Sequence, residues 1–172
     1  MATTSHLVRR FFGSLRPGGP RAADRAWVDE QLLPAEQRLW ARSSGPDRRH
    51  AVAVGREVER ILGHEATRPV LAAALLHDIG KIESGLRTYG RVVATLSAKV
   101  AGPEMAHTWR KQRGFARRVG LYLLHADLGG DLLALAGSDP LTVAWTREHH
   151  LPPEEWTVPR RIGEALKAAD DD

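Results

Sequence analysis

Apolar residues recur along this chain at intervals of three and four, segment after segment, and nowhere alternate with polar ones for long enough to make a strand. The pattern predicts an all-α protein. Its first stripe, Leu7, Val8, Phe11, Phe12 and Leu15, makes residues 5–15 a short amphipathic helix with Arg9 and Arg10 between the apolar positions. The first acidic residue is Asp24, so this start has the composition of a transit peptide or a membrane-surface anchor. With no small-residue cleavage site, we read it as a helix folding back on the domain. Arg16-Pro17-Gly18-Gly19-Pro20 then breaks the chain. The expected organisation is an N-terminal extension with its linker over residues 1–20 and a single compact helical bundle over residues 21–172.

Within the bundle, helices are expected over residues 22–33 and from Pro34 to about Trp40, proline being well suited to a first turn. Residues 43–47 read as a loop in which Asp47 caps the next helix, whose stripe runs through His50, Val54, Val58 and Ile61 or Leu62 to Gly63. The helix that Thr67 and Pro69 open is apolar without interruption from Val70 to Leu76, as a buried central helix must be. It ends on His77-Asp78-Ile79-Gly80-Lys81, where Gly80 is expected to let the chain turn away. Residues 89–101 form a helix whose Val92, Val93, Leu96 and Val100 should face inward. Leu121, Leu124, Leu128, Leu132 and Leu135 stripe one helix over residues 119–136, with Gly129 and Gly130 as the points where it bends or splits. Leu141, Trp145 and His149 share a line in the next, and His150 falls on a neighbouring one. The last helix, from Pro159, aligns Ile162, Leu166, Ala169 and Asp170.

Composition narrows the chemistry. The chain has 172 residues, enough for one substantial core, and no cysteine, so disulfides, thiol nucleophiles and cysteine-ligated zinc are excluded. No apolar run is long enough to span a bilayer, and a cytoplasmic protein is expected. The net charge of +4 suits an anionic ligand but is also ordinary for a solvated surface. Residues 104–118 interleave Arg110, Lys111, Arg113, Arg117 and Arg118 with Trp109 and Phe115, a pattern single-stranded nucleic acid can use. We read it as a solvated face, with nucleic acid not expected as a partner.

Eight histidines matter more than the charge. His50, His77, His125 and His149, with His150 beside it, fall at buried-face or helix-end positions, as do Asp78 and Asp170. So many polar groups in one apolar core need partners, and a shared divalent metal would satisfy them together. The order His50, His77-Asp78, His125, His149-His150, Asp170 resembles the HD-domain superfamily of metal-dependent phosphohydrolases from about Leu33 onward. Its most specific element is His77-Asp78-Ile79-Gly80-Lys81 after an apolar helix.

The resemblance implies an HD-domain helical bundle with one metal held by His50, His77, Asp78 and Asp170. It further implies a second metal held by His125 and His149, with His150 as alternative or additional ligand, and with Asp78 bridging. One or two divalent transition ions are expected, Mn, Fe, Co or Ni before Mg, because the donor set is rich in imidazole. Asp78 and Lys81 are the implied catalytic residues, Lys81 neutralising phosphate or holding the nucleophilic water, with Arg48 and Arg147 as phosphate-binding candidates. The implied reaction is hydrolysis of a phosphate mono- or diester, of a nucleotide or other small phosphorylated molecule, by a metal-bound hydroxide. An HD-type diiron oxygenase uses the same ligands, and a non-enzymatic metal- or nucleotide-binding module is the third reading. Ile79-Gly80-Lys81, Leu151-Pro152-Pro153 and His150 depart respectively from the alarmone, cyclic-di-GMP and dinucleoside-tetraphosphate groups of that superfamily, so no particular nucleotide is implied.

Overall fold

The computed structural model describes residues 18–102 and 104–171. The expected amphipathic helix over residues 5–15 lies outside them. The described chain is helical throughout: α1 (Ala22–Gln31), α2 (Pro34–Arg42), α3 (Gly45–Leu62), α4 (Arg68–Leu76), α5 (Lys81–Ser84), α6 (Thr88–Ala101), α7 (Met105–Arg110), α8 (Gly114–Leu123), α9 (His125–Leu135), α10 (Pro140–Glu148) and α11 (Arg160–Asp171), with single 3-10 turns at Gly63–Glu65 and Pro153–Glu155. No strand occurs among the described residues.

The helix boundaries have local causes. Pro34 opens α2, and Glu36 Oε2 accepts from the Leu33 amide at 2.7 Å, satisfying a donor that the helix itself leaves free. Asp139 caps α10 by accepting from the Leu141 amide at 2.9 Å. At α3 the cap is Ser44 rather than the expected Asp47: its hydroxyl oxygen accepts from the Asp47 amide at 3.3 Å, and the helix begins two residues before Asp47.

Asp47 is used elsewhere. Its carboxylate takes two hydrogen bonds from Arg91 on α6, at 2.5 and 2.8 Å, tying α6 to the start of α3. Burial pushes the Asp47 carboxyl up, but Arg91 outweighs it and holds the group below its ordinary value near 3.8. The pair's contribution is therefore complete above that ordinary value and is lost as pH falls through the lower folded one. We expect Asp47→Asn to cost about 2 kcal/mol in denaturant unfolding at neutral pH, by leaving the partly buried Arg91 without its counter-charge, and the gap from wild type to close below about pH 4. A gap that persists unchanged in acid would show that the carboxylate charge is not its cause.

Helix α4 is the axis. Every residue from Val70 to Leu76 is buried, and α1, α2, α3, α10 and α11 pack around it. Their inward residues, among them Val28, Trp40, Val58, Trp145 and Leu166, complete one continuous core. A second, smaller cluster of Leu86, Ala94 and Val119, flanked by Trp109, Tyr122 and Leu123, holds α6 to α8 together. Helices α5 and α9 lie where this lobe meets the main core.

Two expectations about this half of the chain are corrected. The helix expected over residues 119–136 is divided at Leu124, not at its glycines. Gly129 and Gly130 stay helical and buried because other groups lie where their side chains would be: Gly129 against Thr146 and Gly80, Gly130 beneath the Arg147 side chain. The break resets the helical phase, so Leu133 is buried while Leu135 is 87% exposed. The stripe of α6 also points the other way from expectation: Val92, Val93 and Leu96 are 43%, 46% and 57% exposed, and Ala94 is the residue that meets the core.

Candidate metal centre

Three of the histidines arrive by one local device. His77 caps the end of α4, His149 caps the end of α10, and His125 follows the end of α8 across the break at Leu124. In each, ring Nδ1 donates to the backbone carbonyl three residues earlier: Ala74 at 2.9 Å, Thr146 at 2.8 Å and Tyr122 at 2.7 Å. Those carbonyls lie in the last turn of their helices, where the regular amide partners run out, though the Leu124 amide also reaches that of Tyr122. The imidazole thus takes up a helix-end acceptor and is locked with the proton on Nδ1. In the neutral ring Nε2 then carries a bare lone pair, the arrangement that metal-bound histidine usually shows.

The three Nε2 atoms converge on Asp78. Its Oδ1 lies 3.3 Å from His125 Nε2 and 3.8 Å from His149 Nε2, while Oδ2 lies 3.5 Å from His77 Nε2 and accepts from Lys81 Nζ. Asp170, from the last turn of α11, places Oδ1 2.9 Å from His50 Nε2 and 3.5 Å from His77 Nε2. His150 is more exposed, with Nε2 3.1 Å from His125 Nε2. Donor atoms of His50, His77 and Asp78 lie within 4.8 Å of one another, and so do those of His125, His149 and His150. The two groups adjoin, with the His77 and His149 rings 5.2 Å apart. The Asp78 carboxylate stands between them, one oxygen toward each.

These residues fit divalent ions on evidence of their own. His77 Nε2 and His149 Nε2 are fully buried and have no hydrogen-bond partner, a costly condition for polar atoms in a core. Their protonation also suits ligation. Burial, reinforced by neighbouring imidazoles, pushes His149 down to about 2 and His150 down to about 4, so both are neutral at ordinary pH. Burial would raise Asp78, but Lys81 and His77 outweigh it and hold the carboxyl well below its ordinary value. Asp170 is likewise held well below its ordinary value, against burial, by its hydrogen bond with His50 and the charge of the nearby His77 ring. His77 itself is pushed down by burial and pulled higher by Asp78 and Asp170, so in the metal-free chain it competes for a proton. The site offers anionic oxygens at Asp78 and Asp170 and neutral nitrogens at His149 and His150, donors an ion can take without displacing a proton.

Lys81 is drawn to Asp78: burial alone would lower its pKa, but the Asp78 carboxylate outweighs that and raises it. Neither arginine candidate is drawn to these donors in the same way. Arg147 lies over Gly130 and pairs with Asp131 at 2.7 Å, and the Arg48 guanidinium lies 5.3 Å from the Trp40 ring centre. Two residues that sequence reasoning missed do adjoin the centre. Tyr122 stacks on His125 with ring centres 5.7 Å apart, and Lys81 and Arg91 each lie 6.0 Å from the Tyr122 ring centre. Tyr122 was hidden because its carbonyl serves His125 only where the helix breaks at Leu124, a break that no residue in the sequence marks. For Arg91, 44 residues from its partner Asp47, the sequence holds no signal. No helix among the described residues is long and apolar enough to cross a membrane. Comparison with family models, with curated proteins and with solved structures finds no match to this chain.

Proposed function

We propose that this chain is a metal-dependent phosphohydrolase of HD-domain type, cleaving a phosphate mono- or diester of a small molecule, a nucleotide being the expected class. The observation that carries the reading is the pair of buried, partnerless nitrogens, His77 Nε2 and His149 Nε2, on opposite sides of one carboxylate. His50, His77, Asp78 and Asp170 would hold one ion, and His125, His149 and His150, sharing Asp78, a second. Such ions, when bound, supply a water of lowered pKa and neutralise phosphoryl oxygens.

The chain's own part is positional and electrostatic. The helix-end carbonyls of Ala74, Tyr122 and Thr146 fix three imidazole orientations before any ligand arrives, which removes reorganisation cost from binding. Lys81 and Arg91 set two cations around the Tyr122 ring beside the centre, a field that favours an anionic phosphate over a neutral substrate. Lys81 can exchange its hydrogen bond to Asp78 for one to a phosphate oxygen without moving to another part of the site.

Elemental analysis of protein purified without a metal-affinity column should give about two transition-metal ions per chain, the number a bridging carboxylate implies. The same preparation, loaded in turn with Mn, Co, Ni, Fe or Mg, should release phosphate from at least one member of a panel of nucleotides and phosphate esters. Silence across every combination would count against the reading, and dioxygen uptake by the iron form without phosphate release would replace it with oxygenase chemistry.

A further inference from the structure

The outward stripe of α6 calls for an occupant. Val92, Val93 and Leu96 share one helical face and are 43%, 46% and 57% exposed, while α8, packed against α6, exposes half of Phe115. Isolated apolar residues on a surface are ordinary, but three on one helical face beside an exposed ring make the pattern of a face that is covered. What surrounds it is almost wholly basic. Residues 87–118 carry eight lysines and arginines against the single acid Glu104, a net +7 where the whole chain has +4, which leaves −3 on all the rest. Arg87, Arg110, Lys111, Arg113 and Arg117 are exposed. The charge asymmetry, like the apolar stripe, is confined to the α6–α8 lobe.

We propose that this lobe docks on an anionic membrane surface, with the α6 stripe entering the headgroup region and the arginines of α7 and α8 pairing with acidic lipids. An aliphatic stripe rimmed by arginine is the pattern of an interfacial helix. The other occupants fit less well. A second copy meeting face to face would set +7 against +7. Single-stranded nucleic acid would use Phe115 and the arginines but gain nothing from Val92, Val93 and Leu96, since bases stack on aromatic rings. Residues 5–15 are apolar enough to lie on the stripe, yet they too are basic and free of acid.

Flotation of the full-length chain with vesicles tests the proposal. Phosphatidylcholine vesicles containing about one-third phosphatidylglycerol should carry at least about tenfold more protein than pure phosphatidylcholine, and raising the salt several-fold should remove most of the difference. The double variant Val92→Glu/Leu96→Glu should lose about tenfold in binding at an unchanged melting temperature, because both side chains are already in solvent. Arg113→Glu/Arg117→Glu, at and just after the start of α8, should do the same without touching the stripe. Equal binding to neutral and anionic vesicles would overturn the proposal. So would binding that survives both double variants but disappears on Phe11→Glu/Phe12→Glu, which would assign the contact to the N-terminal segment. Capture of a single-stranded oligonucleotide with no vesicle binding, or a dimer that Leu96→Glu dissociates while vesicles stay bare, would likewise overturn it.

Discussion

Gly80→Ala is expected to lower stability by about 3 kcal/mol and to disturb the metal centre at the same time. Gly80 has φ −62° and ψ −16°, a conformation any residue can adopt, so its role is not the conformational freedom that its place after a helix suggests. Space is the reason. A Cβ there would lie 1.9 Å from the His125 carbonyl oxygen and 2.6 Å from the Gly129 amide nitrogen, both backbone atoms that no side-chain rotation can move aside. Overpacking ordinarily costs about 1–3 kcal/mol, and a clash with backbone belongs at the upper end. In a chain of this length that corresponds to a melting temperature lower by roughly 6–12 °C.

The position of Gly80 makes its effect larger than packing alone. It follows Asp78 by two residues and presses on the backbone of His125, so relieving the clash separates the Asp78 carboxylate from the His125 imidazole, now 3.3 Å apart. We therefore expect Gly80→Ala to lose metal from the His125 side first, which elemental analysis would read as a fall toward one ion per chain. Gly90→Ala is the control. Its nearest neighbour is a Leu86 methyl at 2.9 Å, the far end of a flexible side chain, so a milder loss with the metal content kept is expected. A Gly80→Ala protein that melts within a degree or two of wild type and retains full metal would show that this approach of backbones does not constrain the site.

The main core was legible in the sequence because α4 is apolar on every side: only a helix surrounded by others reads that way, and Val70 to Leu76 are indeed all buried. Its end delivers His77 and Asp78 inward for the same reason, and the phase of α11 brings Asp170 to His50 and His77. Periodicity failed where it gives a direction without a partner. The stripe of α6 shows that one face is apolar, but whether a core or something outside the chain covers it depends on packing that no local pattern encodes. The division at Leu124 was missed because neither proline nor positive-φ glycine marks it; the glycines that looked like breakers are instead there for close approach. Arg147 and Arg48 adjoin candidate ligands in sequence, but Arg147 lies over Gly130 and pairs with Asp131, and Arg48 lies beside the Trp40 ring. The second cation near the centre, after Lys81, comes from α6, through a pairing across 44 residues.

Asp78→Asn is expected to be the most damaging single change to function, at least about 100-fold in metal affinity, since losing even an outer partner of a ligand commonly costs 10–100-fold. The substitution keeps the shape and removes the charge, and that charge has two uses. As a ligand, Asp78 sets one oxygen toward His77 and the other toward His125 and His149, so both groups lose their shared anion. As a counter-ion, it is the hydrogen-bond partner of the buried Lys81 ammonium. The metal-free variant should therefore also be less stable than the metal-free wild type, by about 2–4 kcal/mol, the cost of an uncompensated charge in a largely buried pair. Adding Lys81→Met separates the two uses. In the double variant the buried charge is gone, so much of the metal-free stability should return, while the ions should stay lost. Denaturant unfolding in chelator reads the first outcome and elemental analysis the second. If Asp78→Asn still bound two ions per chain, the carboxylate would be no bridge, and the partnerless nitrogens of His77 and His149 would need separate explanations. If instead the double variant stayed as unstable as the single one, Asp78 would be holding the end of α4 through contacts other than Lys81, and its electrostatic role would fall while its role as ligand stood.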